Sequence, residues 1–255
     1  MNKTFPLLAG VGFLFSSLAQ ADMAGIEVGA YQWTPEYSGF IAVDNDAQTG
    51  TQLDIENDLG FTDEGHNIIW ASVEHPVPFI PNFKLVSSDL EVAASSVLTR
   101  DIVFGGETYT ANESVTTQID MSNLEYTLYY ELLDNWINLD AGLTFRQYDG
   151  IVTLNTDPAG SNLSESEVLD FTLPLIYLKG RVDLPLTGFF VDGEVNIISY
   201  DGDSISDTAL SVGYESDIGL GGKAGYRTFS MEVEESNFVS DVEFSGAYVS
   251  VFFHF

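Results

Sequence analysis

Apolar and polar residues alternate along most of the chain. In residues 136–149 the apolar side chains of Ile137, Leu139, Ala141, Leu143 and Phe145 share one face, and Asn138, Asp140, Thr144 and Arg146 share the other. A period of two is typical of a strand with one apolar face. The alternation lasts for about ten residues, whereas soluble strands run for about five or six and membrane-spanning strands for about nine to eleven. The pattern therefore predicts strands long enough to cross a membrane.

The same alternation recurs often enough to place ten strands. They are predicted at 24–34, 65–75, 83–94, 115–131, 136–149, 168–184, 188–201, 206–216, 219–233 and 240–255. An even number of strands, with short turns at one end and longer loops at the other, is typical of bacterial outer-membrane barrels. A soluble β-sandwich also alternates, but with shorter strands and no aromatic strand ends. We therefore predict an all-β, antiparallel, up-and-down transmembrane β-barrel of about ten strands, with eight strands as the alternative.

The first 21 residues predict a targeting segment. A short basic start precedes the apolar run from Phe5 to Leu18, and Ala19-Gln20-Ala21 matches a cleavage site. These features are typical of a secretory signal peptide. We expect cleavage after Ala21, which leaves residues 22–255 as a single outer-membrane barrel domain.

The last strand carries a second targeting signal. Apolar residues occupy every second position from Ala247 to Phe255, and the chain ends on an aromatic residue. This ending resembles the C-terminal strand of Gram-negative outer-membrane barrels, which the barrel-assembly machinery reads. We expect Phe253 and Phe255 to act as the insertion signal. The predicted location is the cell outer membrane, in contact with its lipid and lipopolysaccharide.

Three stretches carry a resemblance to a family. They are residues 74–82, residues 133–140, and Gly221-Gly222 followed by Tyr226-Arg227. Together they resemble an uncharacterised proteobacterial outer-membrane protein family with a Gly-Gly motif near its C-terminus. The resemblance implies an outer-membrane barrel and carries over no functional residues.

Composition excludes several classes of function. Only 8 Lys and Arg stand against 39 Asp and Glu, a formal net charge of −31, and this excludes a nucleic-acid partner. The chain has no Cys, so disulfides and Cys-ligated metals are excluded. His66, His75 and His254 are scattered. We predict no metal site and no cofactor.

Most basic residues fall on the polar faces of predicted strands. Arg146, Lys179, Arg181, Lys223 and Arg227 share those faces with Glu125, Asp140, Asp192 and Glu194. A Lys or Arg facing lipid costs roughly 2–4 kcal/mol at the bilayer midplane, so these charges are expected in the lumen. They form either an ion-pair network that fills the barrel or a narrow ion-selective path. We favour the filled lumen, because ten strands are close to the eight whose interior side chains fill.

The surplus acid lies in predicted outer loops. Residues 35–64 contain no Lys or Arg, and Asp201, Asp203 and Asp207 crowd a short loop. The first prediction of function is a non-enzymatic barrel, either structural or a narrow pore. An alternative is a surface protein whose acidic loops bind divalent cations or a partner, although neither loop matches an EF-hand. A weaker alternative is a hydrolase at the outer rim, with His66 as general base beside Asp63 and Glu64.

Overall fold

The computed structural model describes residues 25–45, 48–156, 160, 162–235 and 238–255. The predicted signal peptide, residues 1–21, lies outside them. These described residues form fifteen strands: β1 (Ile26–Val43), β2 (Leu53–Asp54), β3 (His66–Val73), β4 (Asn82–Ser88), β5 (Glu91–Val97), β6 (Ile102–Phe104), β7 (Glu107–Tyr109), β8 (Ser114–Asp120), β9 (Asn123–Leu133), β10 (Ile137–Thr156), β11 (Ser164–Asp183), β12 (Phe189–Tyr200), β13 (Asp203–Glu215), β14 (Leu220–Glu235) and β15 (Phe238–His254). Within the described ranges, no helix has the length and apolar character needed to cross a membrane.

Ten of these strands close a barrel. The order is β1-β3-β4-β9-β10-β11-β12-β13-β14-β15, and β15 pairs back onto β1, with every neighbouring pair antiparallel. The closing ladder runs from Glu27 opposite His254 to Val43 opposite Phe238. The prediction of an antiparallel ten-stranded barrel is confirmed, and the alternative of eight strands is wrong.

Two predicted strands are each broken in two. The stretch 83–94 divides into β4 and β5, and 115–131 divides into β8 and β9. The inner pieces β4 and β9 pair within the barrel, whereas the outer pieces β5 and β8 pair with each other and β8 pairs with the outer part of β10. Met121 N donates to Leu90 O at 3.0 Å, which ties the two breaks together.

The barrel has two zones, and β10 shows the change between them. In the half of β10 that begins at Ile137, which we call its inner half, the exposed side chains are apolar, as at Leu143 and Phe145. Asp140, Thr144 and Arg146 are buried there. Beyond Arg146 the even positions stay buried, but the polarity of the two faces is exchanged. Gln147 and Asp149 are exposed, whereas the apolar or aromatic Tyr148, Val152 and Leu154 are buried. An apolar exterior suits lipid, and a polar exterior with an apolar interior suits water. The outer zone therefore has the pattern of a strand segment that projects beyond the bilayer.

The outer zone has an apolar core that loops help to build. Leu53, Ile55, Leu59 and Phe61, from the connection between β1 and β3, are almost fully buried, as are Ile102, Phe104 and Tyr109 of the β6–β7 hairpin. The prediction that 35–64 is one long polar loop is wrong in two respects. Residues 35–43 belong to β1, and the following segment places its apolar side chains against the core.

Candidate functional site

A cluster of charges spans the lumen at the boundary of the two zones. Arg146 Nη2 contacts Asp207 Oδ2 at 2.6 Å and Glu125 Oε1 at 2.9 Å. Arg227 Nη2 lies 2.7 Å from the same Asp207 oxygen, and its Nε donates to Asp207 Oδ1 at 2.9 Å. All four side chains are at least nine-tenths buried. Two guanidinium groups and two carboxylates from β9, β10, β13 and β14 therefore form one compact ion cluster, which we call the charge layer.

More ion pairs lie on the inner side of the charge layer. Lys84 Nζ contacts Glu194 Oε2 at 2.6 Å, and Lys223 Nζ contacts Asp192 Oδ2 at 2.6 Å. The Asp192 carboxylate also accepts a hydrogen bond from Ser211. Because β4 and β12 are not neighbours in the sheet, the pair of Lys84 and Glu194 crosses the lumen.

Arg181 forms the innermost of these pairs. Its Nη2 contacts Glu215 Oε2 at 2.8 Å and Asp183 Oδ1 at 2.9 Å. The guanidinium carbon also lies 3.9 Å from the centre of the Phe190 ring. A cation over an aromatic face is attracted by the ring quadrupole, so Phe190 helps to fix Arg181 inside the barrel.

The structure brings most of the predicted lumen residues together, with different partners in places. Arg146 and Arg227 meet Asp207, which the sequence analysis predicts in an outer acidic loop. That placement was wrong, because Asp207 lies within β13 with its side chain buried. Lys179 and Asp140 are opposite each other across β10 and β11. Lys179 lines the space inside the lumen. Asp140 Oδ1 is buried without a hydrogen-bond partner among the described residues.

The sequence reasoning missed Lys84 and the aromatic residues of the lumen. Lys84 stands between apolar neighbours in a strand with an unclear pattern. The only indication of an inward side chain is that Lys84 lies two residues from the polar Asn82, on the same face of the strand. Arg227 Nη1 donates to Tyr31 Oη at 2.8 Å, and its guanidinium carbon lies 4.5 Å from the Trp33 ring centre. The space left among these side chains is about 90 Å³, enough for a few water molecules.

The outer zone contains a much larger cavity. Its volume is about 520 Å³, and its lining is mostly aliphatic and aromatic. Tyr148 and Val152 of β10, Leu169 and Leu173 of β11, and Phe244 of β15 are among the residues around it. We call this space the apolar chamber. It lies on the outer side of the charge layer, because Tyr148 follows Arg146 along the lumen-facing side of β10.

His66, which is predicted at the outer end of the second strand, is the first residue of β3, but its side chain is buried. Its side chain is inside the barrel, and Tyr37 Oη lies 2.5 Å from its Nε2. The rings of Trp33 and Tyr37 are both within 6.4 Å of the imidazole, measured between ring centres. No described contact joins His66 to the carboxylate of Asp63 or Glu64 by a hydrogen bond or ion pair. The expected dyad is replaced by a buried imidazole–phenol pair.

Acidic side chains of the outer loops have structural partners. Asp54 Oδ1 accepts hydrogen bonds from the backbone N–H groups of Glu56 and Asn57, and Asp58 Oδ2 contacts Arg100 Nη2 at 2.7 Å. Tyr109 Oη donates to Leu154 O at 3.2 Å, and burial raises the pKa of this phenol. In the part of the chain that the structure describes, no group of three or more His, Cys, Asp and Glu side chains could hold a metal ion.

The comparison with solved structures finds several outer-membrane proteins. The outer-membrane protease OmpT of Escherichia coli is 11% identical, with a TM-score of 0.55 over 94% of this chain and 99% of that chain. The fold is that of an outer-membrane barrel. The toluene transporter TodX of Pseudomonas putida is 11% identical over 92% of this chain and 90% of its own, with a TM-score of 0.32. The outer-membrane protein OpdK of Pseudomonas aeruginosa is 9% identical over 91% and 99%, with a TM-score of 0.26.

The likeness to OmpT extends to the fold alone. No model of a known protein family matches the chain. A search of curated proteins also finds no match. The resemblance to a family with a Gly-Gly motif therefore stays a prediction, as do the signal peptide, the assembly signal and the cation-binding loops.

Proposed function

We propose that this protein is a non-enzymatic outer-membrane barrel whose lumen is closed to ions by its own side chains. The observation that carries the proposal is the charge layer. Arg146, Arg227, Asp207 and Glu125 meet across the lumen at hydrogen-bond distances, and their side chains are no more than 6% exposed. Hydrated ions need a continuous water-filled path through the lumen. The space beside these groups is about 90 Å³, which is enough only for a few water molecules.

The arrangement of charges also favours closure over selectivity. In an ion-selective path, charges of one sign face a central gap so that a passing ion can bind and leave. In the charge layer each guanidinium contacts at least one carboxylate directly, and each carboxylate contacts at least one guanidinium. Paired charges of this kind neutralise each other and offer no free site to a permeating ion.

Single-channel recording of the refolded protein in planar bilayers tests the proposal. We expect no conductance steps from the wild type. The double variant Arg146→Ala and Arg227→Ala removes both guanidiniums and leaves Asp207 and Glu125 unopposed, so it should give cation-selective steps. The variant Arg100→Ala is the matched control, because Arg100 pairs with Asp58 in the outer loops, away from the lumen. Regular steps from the wild type, or the same silence from the double variant, would contradict the proposal.

A further inference from the structure

The wall of the barrel is incomplete beside the apolar chamber. The ladder between β11 and β12 ends at Ile176 opposite Ile197. Beyond it, β11 continues to Ser164 and pairs with β10, while β12 continues to Tyr200 and pairs with β13. Among the described residues, none pairs with the facing edges of β11 and β12 in this outer part. We call this opening the side gap.

The sequence marks where the side gap begins. Pro174 stands two residues beyond Ile176, and a proline cannot donate to a sheet ladder. The exposed neighbours Asp170 and Thr172 are polar, so the gap lies in the outer zone, beyond the lipid-facing apolar band. The side gap therefore leads from the outer surface through the barrel wall, on the outer side of the charge layer.

The side gap and the apolar chamber are continuous. Leu169, Phe171 and Leu173 of β11 and Ile198 and Tyr200 of β12 line the chamber from the two sides of the gap. Phe171 and Tyr200 are also exposed, which places them at the mouth. A chamber of about 520 Å³ falls within the range of about 300–1,000 Å³ that ligand sites occupy.

The chemistry of the lining selects the kind of occupant. Aliphatic and aromatic side chains surround the chamber, and its polar lining comes mainly from Glu167, Asp203 and Ser204 near the mouth. Burying a ligand charge among apolar side chains is costly. An anionic head group is further opposed by the two carboxylates and by the net charge of −31. We infer that the apolar chamber binds a neutral, predominantly apolar small molecule that enters from the outer surface through the side gap.

Binding of the neutral fluorescent probe N-phenylnaphthylamine tests this inference. The protein is placed in lipid nanodiscs, and the signal of empty nanodiscs is subtracted. We expect saturable binding, and binding of the anionic analogue anilinonaphthalene sulfonate weaker by about tenfold or more, because its charge must approach the acidic mouth.

Variants on β11 locate the site. Leu173→Asp places a carboxylate in the chamber and should weaken binding by about tenfold or more. Thr172→Asp is the matched control, since residue 172 is exposed, does not line the chamber and differs by one position. If Leu173→Asp fails to give heat-modifiable, folded protein, Leu173→Trp narrows the chamber without adding charge and should also weaken binding.

Three results would overturn the inference. They are no saturable signal above empty nanodiscs, equal binding by the Leu173 and Thr172 variants, and equal binding of the neutral and anionic probes. A stable dimer that forms through the free edges of β11 and β12 and excludes the probe would show that a second copy occupies the side gap instead. Because the chamber lies outside the charge layer, each of these results is independent of whether the lumen conducts ions.

Discussion

Removing the shared carboxylate of the charge layer should destabilise the barrel strongly. Asp207 accepts hydrogen bonds from Arg146 Nη2 at 2.6 Å and from Arg227 Nε and Nη2 at 2.9 and 2.7 Å. The change Asp207→Asn keeps the shape of the side chain and removes its charge. Arg146 and Arg227 are then left close together with one carboxylate, Glu125, in contact with Arg146.

The size of the effect follows from burial. The side chain of Asp207 is 6% exposed and that of Arg146 is 2% exposed, so water screens them poorly. Breaking a buried pair by removing one partner typically costs about 3–5 kcal/mol. The control is Asp183→Asn, the same substitution at a carboxylate that pairs with Arg181 but is 40% exposed. An exposed pair contributes about 0–1 kcal/mol, so the control should change stability little.

Urea-induced unfolding in detergent micelles, followed by tryptophan fluorescence, gives the free energy of unfolding of both variants. The expected result is a loss several times larger for Asp207→Asn than for Asp183→Asn. Equal losses would refute the reasoning, because they would mean that water reaches Asp207 as freely as it reaches Asp183. The lumen would then be wet at the level of the charge layer.

Three further predictions concern assembly, processing and the buried histidine. Deleting Phe255 should lower the yield of folded, heat-modifiable protein in outer-membrane fractions, whereas normal assembly would remove its role as an insertion signal. N-terminal sequencing of the mature protein should begin at Asp22, and an intact start would contradict a cleaved signal peptide. Replacing His66 by Ala should destabilise the fold by about 1–3 kcal/mol in urea, because the Tyr37 hydroxyl loses its partner inside the barrel; unchanged stability would contradict a structural role.

The lipid-facing half of the fold could be predicted from the sequence. Between Ile137 and Phe145 the alternation is set by lipid outside and charge inside, so parity alone places Arg146 in the lumen. The outer half follows the opposite rule, because water surrounds it. Continuing the alternation past Phe145 would have shown the inversion, since apolar residues then move to even positions at Tyr148 and Val152.

The parts that escaped prediction depend on long-range contacts. Asp207 lies inside the predicted strand 206–216, but it follows two other acidic residues in a polar stretch, and that composition favours a solvated loop. Its role depends on Arg146 and Arg227, which are distant in the chain. The breaks in the strands near Leu90 and Met121 depend on each other through one hydrogen bond. The side gap depends on where a ladder stops, and only Pro174 signals it in the sequence.

Chemical labelling of a single introduced cysteine tests the closed lumen most directly. The chain has no cysteine, so each variant carries one reactive thiol. Thr144 is fully buried at the level of the charge layer, where its hydroxyl contacts Thr127 and Asn196, whereas Thr172 is exposed on the outer surface. In the folded barrel, a water-soluble maleimide should label Thr172→Cys quickly and leave Thr144→Cys unlabelled until the protein is unfolded. Rapid labelling of Thr144→Cys in the folded protein would show that water passes through the lumen, and it would contradict the closed barrel.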